Sequence, residues 1–108
     1  ERDQWGQLIE EYVLDRPPLK GFVQLIDVRH VPTEDDLRMV EWLTESEKRF
    51  VVVGTKADKL SKTKLQASLA RIKRVLAWQG EFPVLPFSAV TGLGKDELWR
   101  WIEETLRG

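Results

Sequence analysis

Two short apolar runs, Phe22-Val23-Gln24-Leu25-Ile26-Asp27 and Phe50-Val51-Val52-Val53-Gly54, constrain this chain more than anything else in it. Neither alternates polar with apolar residues over its length, so each reads as a strand buried on both faces, as in parallel sheets. The β-branched Val51-Val52-Val53 would lose χ1 freedom in a helix and packs well on a pleated surface. A third run, Phe82-Pro83-Val84-Leu85-Pro86-Phe87, carries two prolines, and these confine it to a sheet edge.

Helical stripes separate the runs. Trp5, Leu8, Ile9, Tyr12 and Val13 share one face over residues 1–14, and Pro17-Pro18 stops that helix for want of N–H donors. Thr33 caps a second helix, whose first turn holds Glu34, Asp35 and Asp36 at its positive end. Leu37, Met39, Val40 and Leu43 form its buried side, with Trp42 on the flank. Ser61 caps a third, with Leu65, Leu69, Ile72 and Leu76 on one stripe and Gly80 at its end. A turn-rich loop from Ser88 to Gly94 leads to a last helix over Lys95–Leu106, with Leu98, Ile102 and Leu106 inward. Trp99 and Trp101 cannot both face inward from it.

Strands alternating with helices imply right-handed crossovers, hence a three-layer α/β fold: a parallel sheet with helices on both faces. The expected content is three strands and four helices in one segment, 1–108. A doubly wound nucleotide-binding domain has about five or six strands, so three are few. The strand Phe22–Asp27 lacks a proline or charged gatekeeper and reads as an interior strand without its neighbour. The absent part of the domain, or a second copy of the chain, is its expected partner there. A start at Glu1 rather than Met fits an excised segment.

Composition excludes several chemistries. There is no cysteine and one histidine, which removes disulfides, thiolate-bound metals and multi-histidine sites. The apolar runs are far too short for a membrane helix, and no export-type N-terminus is present, so a cytoplasmic location without membrane contact is expected. The net charge is only −1, yet residues 56–74 sum to +6. Lys59, Lys62, Lys64, Arg71, Lys73 and Arg74 in that stretch are candidate RNA-phosphate contacts; a solvated helix face is the plainer reading.

In open α/β sheets, ligands bind beyond the carboxyl ends of the strands. The loops there begin at Asp27-Val28-Arg29-His30, Thr55-Lys56-Ala57-Asp58 and Ser88-Ala89-Val90-Thr91-Gly92. Thr55-Lys56-Ala57-Asp58 resembles the Asn/Thr-Lys-x-Asp motif with which GTPases read guanine. A carboxylate suits that base because its N1–H and 2-amino group are adjacent donors. The stem of Lys56 would lie along the base. Ser88-Ala89, one strand later, resembles the Ser-Ala motif that offers a backbone N–H to guanine O6. Ordinary solvated loop charges at Lys56, Asp58 and Lys59 are the competing reading of the first motif.

Leu25-Ile26-Asp27-Val28-Arg29-His30, Pro32-Thr33-Glu34-Asp35-Asp36-Leu37-Arg38-Met39 and Thr55-Lys56-Ala57-Asp58-Lys59-Leu60-Ser61 resemble the EngB (YihA/YsxC) family, Era-like members of the TRAFAC P-loop GTPases. Trp5, Tyr12, Arg16 and Leu19-Lys20-Gly21 fit the same family. The resemblance covers essentially the whole chain, matched to the back half of the family's domain. It implies a GTP-binding switch in assembly of the large ribosomal subunit, with the subunit or its rRNA as partner. It also implies guanine contacts at Thr55, Lys56, Asp58, Ser88 and Ala89. Thr55 supplies one hydroxyl where asparagine would offer an amide.

A P-loop needs G-x-x-x-x-G-K-[ST]. Gly94-Lys95 is followed by Asp96, so the motif is not met. By the resemblance, the P-loop, the Asp-x-x-Gly motif and the switch segments precede Glu1. GTP or GDP with Mg2+ would then be held by the intact parent protein, with no metal ligand or catalytic residue here and no hydrolysis by this segment alone. The alternative is a stand-alone α/β interaction or RNA-binding module. Asp27 reads as a turn-forming carboxylate rather than a metal ligand, and Arg29-His30 as a loop anchor.

Overall fold

A computed structural model describes residues 20–76 and 81–107. The helix expected over 1–14, with Trp5, Tyr12 and Arg16, lies outside the described residues, as does Gly80. Within them the order is strand β1 (Phe22–Asp27), helix α1 (Glu34–Glu45), strand β2 (Phe50–Thr55), a 3-10 turn (Ala57–Lys59), helix α2 (Lys62–Leu76), strand β3 (Val84–Pro86) and helix α3 (Lys95–Arg107). The three strands form one parallel sheet in the order β1-β2-β3, as the alternation predicts.

Strand β2 is the centre. Phe50 and Val52 join a core with Ile26, Val40, Leu43, Leu65, Ile72 and Leu76, so α1 and α2 cover one face. Val51 and Val53 point to the opposite face and are also fully buried. Strand β1 departs from the expectation of burial on both faces. Its register partners Val23 and Leu25, opposite Val51 and Val53, are exposed, Leu25 by 61%. β1 is an edge of the described sheet, so the face that β2 buries is open at β1.

Strand β3 is shorter than the expected Phe82–Phe87 but lies on the edge its prolines demand. Their nitrogens have no proton to give, and the ladder runs instead through Val52 N–H to Pro83 O (3.0 Å) and Phe87 N–H to Gly54 O (2.8 Å).

The helix starts follow the sequence closely. Thr33 accepts from Asp36 N–H (3.2 Å) while the Asp36 carboxylate accepts from Thr33 N–H (2.8 Å), a complete capping box. Ser61 Oγ accepts from Lys64 N–H at 3.3 Å. In α3 the expected inward position of Leu106 is corrected: it is 64% exposed. A spacing of four drifts about 40° per step round a helix, so by the second step from Leu98 the residue has left the inward stripe. Leu98, Trp101 and Ile102 are half-buried and Thr105 is buried, while Trp99 faces outward.

Candidate functional site

The carboxyl ends of all three strands meet in one cluster of loops. Gly54 lets them meet: a Cβ there would fall 2.7 Å from Val28 Cγ1 and 3.0 Å from Leu69 Cδ2. After Thr55 the chain turns sharply at Lys56, which takes a left-handed conformation (φ 59°), and enters the 3-10 turn. Ala57 is buried and its N–H donates to Phe87 O at 3.0 Å, so the β2 loop is bonded to the end of β3.

Ser88 joins the two sequence motifs. It is fully buried, and its hydroxyl donates to Asp58 Oδ1 at 2.8 Å. The same oxygen accepts from Val90 N–H (3.2 Å) and Thr91 N–H (3.1 Å). Ser88 N–H donates to Leu93 O, and Gly92 N–H to Ser88 O. Leu93 N–H donates to Thr91 Oγ1. Ala89 and Gly94 are the exceptions: neither N–H has an acceptor among the described residues, and of the two Ala89 is exposed while Gly94 is packed on Pro86. Asp58 Oδ2 likewise has no donor among the described residues.

Gly94 holds this loop against the sheet. Its φ is +78°, and a Cβ would lie 1.8 Å from Pro86 O, so no other residue fits there.

At the end of β1 stands a charge cluster that sequence reasoning did not assemble. Asp27 accepts from Arg29 N–H (2.9 Å) and Nε (3.1 Å) through Oδ1, and from Arg29 Nη2 (2.8 Å) through Oδ2. These bonds, the side-chain ones foremost, hold the Asp27 carboxyl well below the usual carboxylate range, against the opposing effect of burial. Arg29 is correspondingly held above its ordinary value by Asp27. Lys56 Nζ lies 4.0 Å from Asp27 Oδ2. The Asp-x-Arg spacing at a strand end was the available signal. Asp27 is thus a turn carboxylate, and His30 anchors the loop through its N–H to Asp27 O (3.1 Å).

Asp58, Ser88 and Ala89 therefore come together, with Lys56 beside them and Thr55 at the strand end. The arrangement presents an outward N–H donor and a free carboxylate oxygen from bonded loops. Such a pair suits a planar ligand that carries an acceptor next to donors. The basic residues do not gather in this way. Lys59 is exposed in the 3-10 turn, and along α2 the others divide between flanks. Lys64 and Arg71 share one flank, Lys62 and Lys73 the opposite one, and Arg74 faces away from the core. No group of acidic and histidine residues among the described ones could hold a metal ion.

No protein-family model matches the chain. Among curated proteins it is 46% identical to a probable GTP-binding protein EngB of Lactiplantibacillus plantarum over 103 residues, covering 95% of the chain and 52% of that protein. It is 45% identical to the probable GTP-binding protein EngB of Shouchella clausii over 107 residues, covering 99% of the chain and 54% of that protein. The chain thus spans about half the length of these relatives. Among solved structures, apo translation elongation factor SelB of Methanococcus maripaludis aligns with a TM-score of 0.75 at 22% identity, over 91% of this chain and 22% of that one. The same factor bound to the GTP analogue GppNHp gives 0.72 at 24% identity, over 94% and 23%. At such identities the likeness speaks for the fold alone, a three-stranded parallel sheet in an α/β arrangement. By sequence, the chain is a homologue of the C-terminal part of the EngB GTP-binding proteins.

Proposed function

We propose that this segment is the guanine-recognising half of a GTP-binding switch. Asp58 accepts from the base N1–H and 2-amino group, Ala89 N–H donates to O6, and the Lys56 stem lies against the ring. Thr55 and Ser88 hold the two loops in place. The observation that carries the reading is that Ser88, bonded through its hydroxyl to Asp58, is followed by an exposed Ala89 whose N–H has no acceptor among the described residues. An exposed alanine leaves the backbone approachable by a flat base edge.

Phosphates and Mg2+ belong, on this reading, to the front half that the EngB relatives possess and this chain does not span. That half, or a second copy of the chain, pairs with the open edge of β1. The protein works in the cytoplasm on the large ribosomal subunit or its rRNA, as the family likeness implies.

The test is Asp58→Asn in a chain completed by the front half of an EngB relative. Hydrogen bonds to a charged acceptor are worth about 1.5–3 kcal/mol each. GDP affinity should fall about ten- to a hundredfold, since 1.4 kcal/mol is a factor of ten. XDP affinity should rise, because xanthine offers an oxygen where guanine has its amino group. Lys59→Gln, on an exposed neighbour, should leave both unchanged. An unaltered preference for GDP over XDP in Asp58→Asn would overturn the assignment. The segment alone should show neither sub-micromolar nucleotide binding nor GTP hydrolysis.

A further inference from the structure

A cleft of about 270 Å³ opens between the loop after β1 and one flank of α2, outside the candidate base site. Three cationic side chains line it: Arg29 from the loop, and Lys64 and Arg71 from the helix. No acidic residue lines it.

Its shape follows from the helix sequence. Lys64 and Arg71 stand seven residues apart, about two turns, and so share a face. Between them on that face are Ala67 and Ser68, whose short side chains leave a trough. The Ser68 hydroxyl donates to Val28 O, which draws the β1 loop against the helix and sets Arg29 on the opposite rim.

Two of the three charges on this rim are unpaired among the described residues, while Arg29 is paired with Asp27. Neither Lys64 nor Arg71 has an ion-pair partner among the described residues. Arg71 Nε is buried and has no acceptor among the described residues. Asp27 occupies Nε and Nη2 of Arg29 and fixes that guanidinium, leaving Nη1 for another acceptor. Cationic donors converging on a concave, acid-free trough suit a compact anion with several acceptor oxygens.

We propose that this cleft is a phosphate-binding site, formed by Arg29, Lys64 and Arg71. The phosphate is either a free phosphate ion or a phosphodiester of single-stranded RNA. Lys62 and Lys73, on the other flank of α2, take no part, although they carry the same charge. The proposal stands apart from the guanine reading: it uses neither Asp58 nor the Ser88 loop.

Lys62 and Lys73 make the experiment charge-matched. The chain is titrated with labelled oligouridine over a range of salt, and with inorganic phosphate followed by NMR of the Arg and Lys side chains. Lys64→Gln with Arg71→Gln should weaken oligouridine at least tenfold and flatten the log–log salt slope by about 1.4, the share of two phosphate contacts. Lys62→Gln with Lys73→Gln should change affinity less than twofold. Ala67→Glu, on an exposed helix position, keeps every cation but fills the trough with a carboxylate, and should abolish binding while the fold is retained. Phosphate should shift the Arg71 and Lys64 resonances saturably and compete with oligouridine. Phosphate binding there with oligouridine indifferent to all variants assigns the free ion as the ligand. Equal weakening by both lysine–arginine and lysine–lysine pairs, or no saturable phosphate shift at Arg71, overturns the site.

Discussion

Strands β1 and β2 pair residue for residue, yet they live in different environments. β2 is buried along nearly its whole length, while β1 alternates, with Ile26 buried and Leu25 largely in solvent. The two sequences are about equally apolar. Hydrophobicity thus identifies both as strands, but only the number of flanking neighbours decides whether the second face is covered. β1 carries the composition of a central strand in the position of an edge.

The register pair Leu25 and Val53 tests this most severely. Val53 is fully buried and Leu25 is 61% exposed. Val53→Ala removes two buried methyl groups and leaves a cavity, so urea denaturation should show a loss of about 1.5–3 kcal/mol. Leu25→Ala removes more carbon, yet should cost under about 0.5 kcal/mol, the range of surface substitutions. At concentrations where the chain is monomeric, similar losses at both sites would mean that Leu25 is covered within the chain itself and the comparison is wrong.

Leu25→Lys sharpens the same contrast. A charge on the open strand should oppose pairing with another copy or with the front half of an EngB relative. Loss of one buried leucine contact at a docked edge corresponds to about a tenfold fall or more in association constant. Light scattering and pull-down with that front half provide the readout. A monomer at all concentrations that also ignores the front half would show the edge to be inert.

The smallest effect lies at the end of β1. Because the Asp27 carboxyl is held below its ordinary range by Arg29, Asp27 contributes stability above about pH 4 that is lost as pH falls through its lowered value. Asp27→Asn removes this dependence. The stability gap between the two chains should therefore narrow from pH 6 to pH 3. A gap that stays constant would mean that the Arg29 pair adds nothing at this end of the strand.

Much of this architecture was legible in the sequence because local chemistry and tertiary role agree. The capping box at Thr33 and Asp36, the Ser61 cap and the prolines of β3 act through rules that need no knowledge of neighbours. Leu106 was misread because spacing of four approximates one face only over short distances. The open edge of β1 is legible as an apolar strand without its neighbour; that Val23 and Leu25 on it face solvent is not, because their burial depends on what lies beside the strand. At the candidate site, the motifs Thr55–Asp58 and Ser88–Ala89 were legible as residue types. Their direct link through the Ser88 hydroxyl was not, since it depends on how two loops approach. The phosphate cleft escaped for a related reason: charge counting saw one basic stretch, whereas helical geometry divides it.

The Ser88–Asp58 bond closes a loop of 30 residues that contains the whole of α2. Bringing the ends of a flexible segment of that length together costs on the order of 3 kcal/mol in chain entropy. No local fragment can meet that cost alone; it is offset only when α2 has docked and β3 has zipped onto β2. The approach of Asp58 to the Ser88 loop is therefore a late product of folding and a sensitive gauge of its completion. A disturbance that peels the short β3 from its neighbour would dissolve the pairing of Asp58 with the Ala89 loop while leaving both segments chemically untouched. In this chain, the candidate site is a property of the closed loop, held by none of its residues singly.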